Sequence, residues 1–118
     1  MNPEHFKVPV RVTLVKPLTA FLENWGDCDY TEKDIARCRD LLDTWLDSLA
    51  ALESPTDRQI LDRVRALVVD LNVLNERAKD NLIEIEEREA LLAIIHAAVS
   101  AAGLEFHGED ITAPWREW

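Results

Sequence analysis

Apolar residues recur at three- and four-residue steps over most of this chain, the spacing that gathers them on one face of a helix. Ile35, Cys38, Leu42, Trp45, Leu49 and Leu52 form one such seam, and Leu41 and Leu46 broaden it. Thr31 stands ahead of the seam as an N-cap, with Asp34 at the reciprocal position. The pattern predicts a helix over about 31–52. Ile60, Val64, Leu67, Leu71, Leu74 and Ala78 repeat the same steps and predict a second long helix over about 55–79. Between them Ser54 reads as a cap, Pro55 as the first helical residue and Asp57 as a charge facing the helix dipole. A connection this short predicts an antiparallel hairpin.

Two shorter helices flank the hairpin. Pro17 opens one over about 17–25, with Leu18, Phe21, Leu22 and Trp25 on one face and Gly26 as its stop. The other runs over about 84–102, burying Leu91, Ile94, Ile95, Ala98, Val99 and Ala102 before Gly103. Its start is open. Asn81 with Glu84 reads as a cap, while Ile83 to Glu86 alternates like a short strand, so residues 82–86 fit either state. Residues 6–14 alternate throughout, with Phe6, Val8, Val10, Val12 and Leu14 on one side. Period two predicts an extended N-terminal arm or an edge strand, since Pro9 cannot donate to a ladder. The tail from Leu104 carries Trp115 and Trp118, which share one side of a turn begun by Thr112 and Pro114. The expected fold is a single, mostly all-α domain over residues 1–118, an antiparallel helical bundle built on the hairpin.

Helix 55–79 has a second stripe, in which Ala66, Val69 and Val73 point away from the first seam. A helix apolar on two sides is usually covered on both. The cover is the arm, the tail or a second copy of the chain. Docked on the stripe, the expected arrangement, Trp115 and Trp118 belong to the fold; undocked, they are anchors for a partner. Val69, Val73, Trp115 and Trp118 are therefore the candidate partner-binding residues, and the open stripe predicts a homodimer. Asn72 and Asn75 on the same helix read either as register-fixing buried amides or, the more ordinary home, as exposed helix positions, which are expected.

Charge narrows the partners. Thirteen Lys and Arg against 23 Asp and Glu give a net charge of −10 over 118 residues. No cationic excess is available to displace counterions, which argues against nucleic acid and against an anionic membrane surface. No apolar run approaches the ~20 residues of a spanning helix. The first fifteen residues lack an unbroken apolar core and do not read as a signal peptide. Two cysteines, Cys28 and Cys38, are too few for a disulfide-built domain, so a reducing, cytoplasmic setting is expected. Cys38 reads as a buried hydrophobe. Asp27 and Asp29 disfavour a thiolate at Cys28, and Glu32 replaces the glycine that a calcium loop would need there.

The remaining candidates for chemistry are carboxylates and a histidine. Asp40, Asp43 and Asp47 line one helical face, and Glu84 and Glu87 belong to a second acidic run with Glu86 and Glu89. Helical phosphohydrolases bind magnesium through facing pairs of this type. Here the aspartates fall opposite the apolar seam, where a solvated face is expected, and the glutamate spacing departs from the metal-binding pattern. His96 lacks a ligand at i±3 or i±4 and reads as a satisfied helix histidine. His107 and Glu109 lack the cysteines of a zinc deaminase. No phosphate loop or nucleophile elbow is present. These readings predict no cofactor and a non-catalytic, acidic interaction module: an adaptor, a regulator or an immunity-type antagonist of a basic protein. An oligomeric structural subunit and a magnesium-dependent phosphohydrolase are the alternatives.

Overall fold

The computed structural model describes all 118 residues, and it replaces the expected N-terminal arm or edge strand with helix. Pro3–Pro9 forms α1, Val10–Val15 a π-helical segment and Lys16–Trp25 α2, in one uninterrupted rod. No strand occurs in the chain. An alternating pattern contains every fourth residue as a subset, and that subset is what packs. Val10, Leu14 and Leu18 are buried, stacked at i, i+4 and i+8 of a helix. Val8 and Val12, the other half of the alternation, are 60% and 56% exposed. A lone strand has no neighbour to pair its backbone groups, whereas a helix pairs them locally.

Pro9 and Pro17 shape the middle of this rod. Each removes an N–H and crowds the carbonyl four residues back. Between them the ladder widens, and the Lys16 N–H donates to the carbonyl of Arg11, five residues earlier. Side chains help to satisfy the loosened carbonyls: Thr13 Oγ1 donates to Pro9 at 2.6 Å and the Arg11 guanidinium to Lys7 at 3.0 Å.

The hairpin forms as predicted, from α3 (Glu32–Ala50) and α4 (Asp57–Arg77). Thr31 and Asp34 make the expected capping box on α3. On α4 the cap is Thr56 rather than Ser54, and Pro55 stays outside the helix. Thr56 accepts from the Gln59 N–H at 3.2 Å while Gln59 accepts from the Thr56 N–H at 2.9 Å. That reciprocal pair satisfies two orphan donors, more than Ser54 offers two residues earlier. Trp45 is buried on the seam, and its indole N–H donates to the Arg63 carbonyl at 3.0 Å, which fixes the hairpin register.

The last helix, α5, spans Ile85–Ala102, begins at a capping box between Glu84 and Glu87 and stops at Gly103 with φ 109°. Residues 82–84 are therefore its lead-in and not a strand. Leu82 and Ile83 are buried there, and Asn75 is the reason they stay. Its side chain is only 3% exposed, and its carbonyl oxygen accepts from the Ile83 N–H at 2.8 Å. Asn75 is thus a buried amide that fixes the α4–α5 turn, which corrects its expected exposure. Apolar residues of the N-terminal rod, the hairpin, α5 and the tail join in one buried cluster. No helix is long and apolar enough to cross a membrane.

Candidate functional site

The acidic face of α3 turns out to be a docking seam. Lys7 Nζ lies 2.8 Å from Asp47, and Arg11 makes a two-pronged contact with Asp43 at 2.8 and 3.1 Å. Each pair of partners is four residues apart on its own helix, and the order is reversed, so α1 runs antiparallel to α3. Hydrogen bonds from Lys7 to Asp47 and then Glu4 raise the Lys7 pKa above the ordinary lysine value. Asp40 pairs with its neighbour Arg39 at 3.1 Å. The expectation of a wholly solvated aspartate face is corrected accordingly: two of its three members hold the N-terminal helix. Glu84 and Glu87 sit at the start of α5, occupied with each other's backbone. The structure does not bring them to the α3 aspartates, and nowhere does it gather three His, Cys, Asp or Glu side chains around a common metal position.

The tail is part of the fold, but it does not lie over Val69 and Val73. Those two remain 43% and 47% exposed. Instead Asn72 receives the tail: its amide donates to the Trp115 carbonyl at 2.8 Å and accepts from the Glu117 N–H at 3.1 Å. Backbone groups in a docking segment need partners, and Asn72 supplies both kinds where the valines supply none. Asp110 organises the turn. It accepts from the Thr112 N–H at 2.9 Å and from Arg116 at 2.9 Å. Burial alone would raise its pKa; the bonds from Thr112 and Arg116 outweigh burial and hold it below the usual carboxylate value. His96 accepts from the Ile111 N–H at 3.4 Å and packs on Phe106, with ring centres 5.1 Å apart. It is a satisfied histidine under the tail. Trp115 and Trp118 are half-buried against the core, and Arg116 lies 5.4 Å above the Trp118 ring.

A strongly charged cleft of about 930 Å³ lies at one pole, where α2, the loop before α3, the α4–α5 turn and the start of α5 meet. Asp27, Asp29, Asp80, Glu84, Glu86 and Glu87 line it, against one cation, Arg88. Asp29 accepts from Asn81 and faces Lys79 at 3.5 Å, so its charge is partly answered. Burial, followed by its acidic neighbours, raises the Glu87 pKa against the opposing pull of backbone hydrogen bonds. Phe21 and Tyr30 line one wall, and Trp25 continues their aromatic ladder beyond the lining. Tyr30 is buried and stacks on Phe21 at 6.4 Å, and Phe21 meets Trp25 at 6.1 Å. Burial, ahead of nearby Cys28, Glu87 and Glu84, pushes the Tyr30 hydroxyl up to about 12. Phe21 is 47% exposed, Trp25 70% and Ile85, across the cleft, 65%.

Both cysteines are free. Burial pushes the Cys38 thiol up to about 12, the chemistry of a core residue and not of a nucleophile. Cys28 donates to the Tyr30 carbonyl at 3.4 Å and helps to shape the loop.

The sequence singled out Glu84 and Glu87 but not the cleft they border. Asp27 and Asp29 lie more than fifty positions from Asp80, and neither loop has a periodicity that would pair it with the other. The available signal was the density of acids at 27–34 and 80–89 beside Phe21 and Trp25, which the sequence put on the apolar face of their helix and the structure leaves 47% and 70% exposed. Comparison with protein families, with curated proteins and with solved structures finds no match to this chain.

Proposed function

We propose that this chain is a non-catalytic interaction module that binds a basic partner protein at the cleft between α2 and the start of α5. The observation that carries the reading is the composition of that cleft, six carboxylates to one cation beside exposed Phe21 and Ile85. Carboxylates steer a basic surface into contact and select against acidic ones. Apolar side chains in the same concavity supply the buried contact on which affinity depends. Trp25 extends the apolar wall outward, where an arginine side chain stacks well. An adaptor, a regulator and an antagonist that masks a basic site all use such a surface, and two free thiols suit the reducing conditions of the cytoplasm.

Titration of the isotope-labelled chain with a short arginine- and leucine-containing peptide tests the reading by NMR. Amide shifts are expected at residues 27–30 and 80–88, weakening steeply as salt rises. Replacement of Glu86 and Asp80 by Lys should abolish them while leaving the fold intact. Shifts confined to other surfaces, or none at millimolar peptide, would overturn the assignment.

A further inference from the structure

The outward face of α4 differs electrically from the rest of the chain. Arg58, Arg63, Arg65 and Arg77 balance Asp57, Asp62, Asp70 and Glu76, so this helix is neutral within a protein of net charge −10. The ion pairs of the molecule all involve other elements, and these eight charges have no ionic partner within the chain. Ala66, Val69 and Val73 run along the middle of the face, with both valines nearly half exposed. Arg63 and Asp70 border a groove of about 620 Å³ against α3, whose walls include the small residues Ala36 and Ala66.

The charges follow one order on both flanks. Arg63 precedes Asp70 by about two turns on the side of the groove, and Arg58 precedes Glu76 by about five turns on the other side. A two-fold axis passing α4 at the level of Leu67 brings a second copy in antiparallel, with Arg63 and Arg58 each opposite an acid. Arg63 then faces Asp70 of the second copy, Arg58 faces Glu76, and small Ala66 leaves room for Val69. Each of these contacts occurs twice, as an isologous interface requires. Parallel two-fold packing would instead set the Arg63–Asp70 flank against the Arg58–Glu76 flank, without these pairings. Copies of so acidic a protein repel one another over most of their surface, whereas the charges of α4 sum to zero and its groove with α3 adds Lys33 and Arg37 against Asp40, so that repulsion is relieved on this face. We infer that α4 closes a homodimer through this antiparallel contact, independently of the acidic cleft at the pole.

Charge exchange tests both the dimer and its register. Sedimentation equilibrium of the full chain from micromolar to several hundred micromolar should give a mass above the 13.5 kDa of one copy. Arg63→Asp and Asp70→Arg should each weaken self-association at least tenfold, because each sets like charges face to face. The double variant should recover dimerisation, and an equimolar mixture of the two single variants should associate where neither does alone. Both side chains are exposed, so melting curves close to wild type are expected; Arg63→Gln serves as a milder variant should either reversal unfold. A single 13.5 kDa species throughout overturns the inference, and so does a dimer indifferent to these exchanges or not restored by the double variant.

Discussion

The N-terminal rod and the C-terminal tail are both peripheral segments, and they are held by different forces. The rod inserts Val10, Leu14 and Leu18 into the core and keeps its ion pairs, Lys7–Asp47 and Arg11–Asp43, at the rim. Its place is set by apolar burial, and the charges choose its direction and register. The tail buries Ile111 and Thr112 but is organised mainly by hydrogen bonds to Asn72, Asp110 and His96. Two of its buried polar atoms, Arg116 Nε and Trp118 Nε1, have no partner. An unmade bond of that kind costs about 1–3 kcal/mol where no water supplies it. The comparison separates an element that belongs to the core from one that is fastened to it.

Substitutions should rank along that division. Leu14→Ala removes a fully buried side chain from the rod and should destabilise by about 3 kcal/mol, a fall of roughly 10 °C in melting temperature. A loss under 1 kcal/mol would mean that the rod is as loosely held as the tail. Asn72→Ala leaves the Trp115 carbonyl and the Glu117 N–H without partners and should cost about 1–2 kcal/mol. Truncation after Ile111 should lower the melting temperature by several degrees with the helices retained, as read by thermal circular dichroism.

Acid should loosen the tail. The Asp110 pKa lies below its ordinary value of 3.8 in the folded chain, so the folded state binds the proton less readily than the unfolded one. Its contribution is present above the ordinary value and disappears as pH falls through the lower folded value. Asp110→Asn should remove that part of the pH dependence and shift the amide resonances of residues 110–118, measured by NMR between pH 5 and 2. Smaller still, Asp43→Ala should cost at most about 1 kcal/mol, because the Arg11–Asp43 pair is partly solvated. Val12→Thr should be within about 0.5 kcal/mol of neutral. A large effect there would restore significance to the alternation that the helix leaves pointing at water.

The hairpin was legible because its signals agree. Period and loop length specify both α3 and α4, the cap specifies the start of α3, and Gly26 and Gly103 end their helices as glycine in the left-handed region should. Local chemistry also sufficed for the Thr31–Asp34 box and for Cys38 in the core. The rod was misread because period two and period four coincide on Val10 and Leu14, and only a partner surface decides which residues are buried. The α3 aspartates looked solvated for a related reason. Their cations, Lys7 and Arg11, lie more than thirty positions earlier, in a segment read as an extended arm or edge strand. The tail was expected to dock, yet its landing place depended on backbone groups needing partners, a demand that no apolar count registers.

What the sequence determines by itself is therefore set by neighbours within a few turns: where helices begin and end, which stripe is apolar, and that the chain is strongly acidic. Tertiary structure decided everything that depends on two distant segments meeting. It converted an alternating stretch into a helix, spent Asp43 and Asp47 on docking, buried Asn75 to hold a turn and assembled an acidic cleft from loops more than fifty residues apart. The physical reason is one of range. Hydrogen bonding along a helix is satisfied locally and leaves a periodic trace, whereas burial and charge pairing are properties of two surfaces and exist only once both are in place.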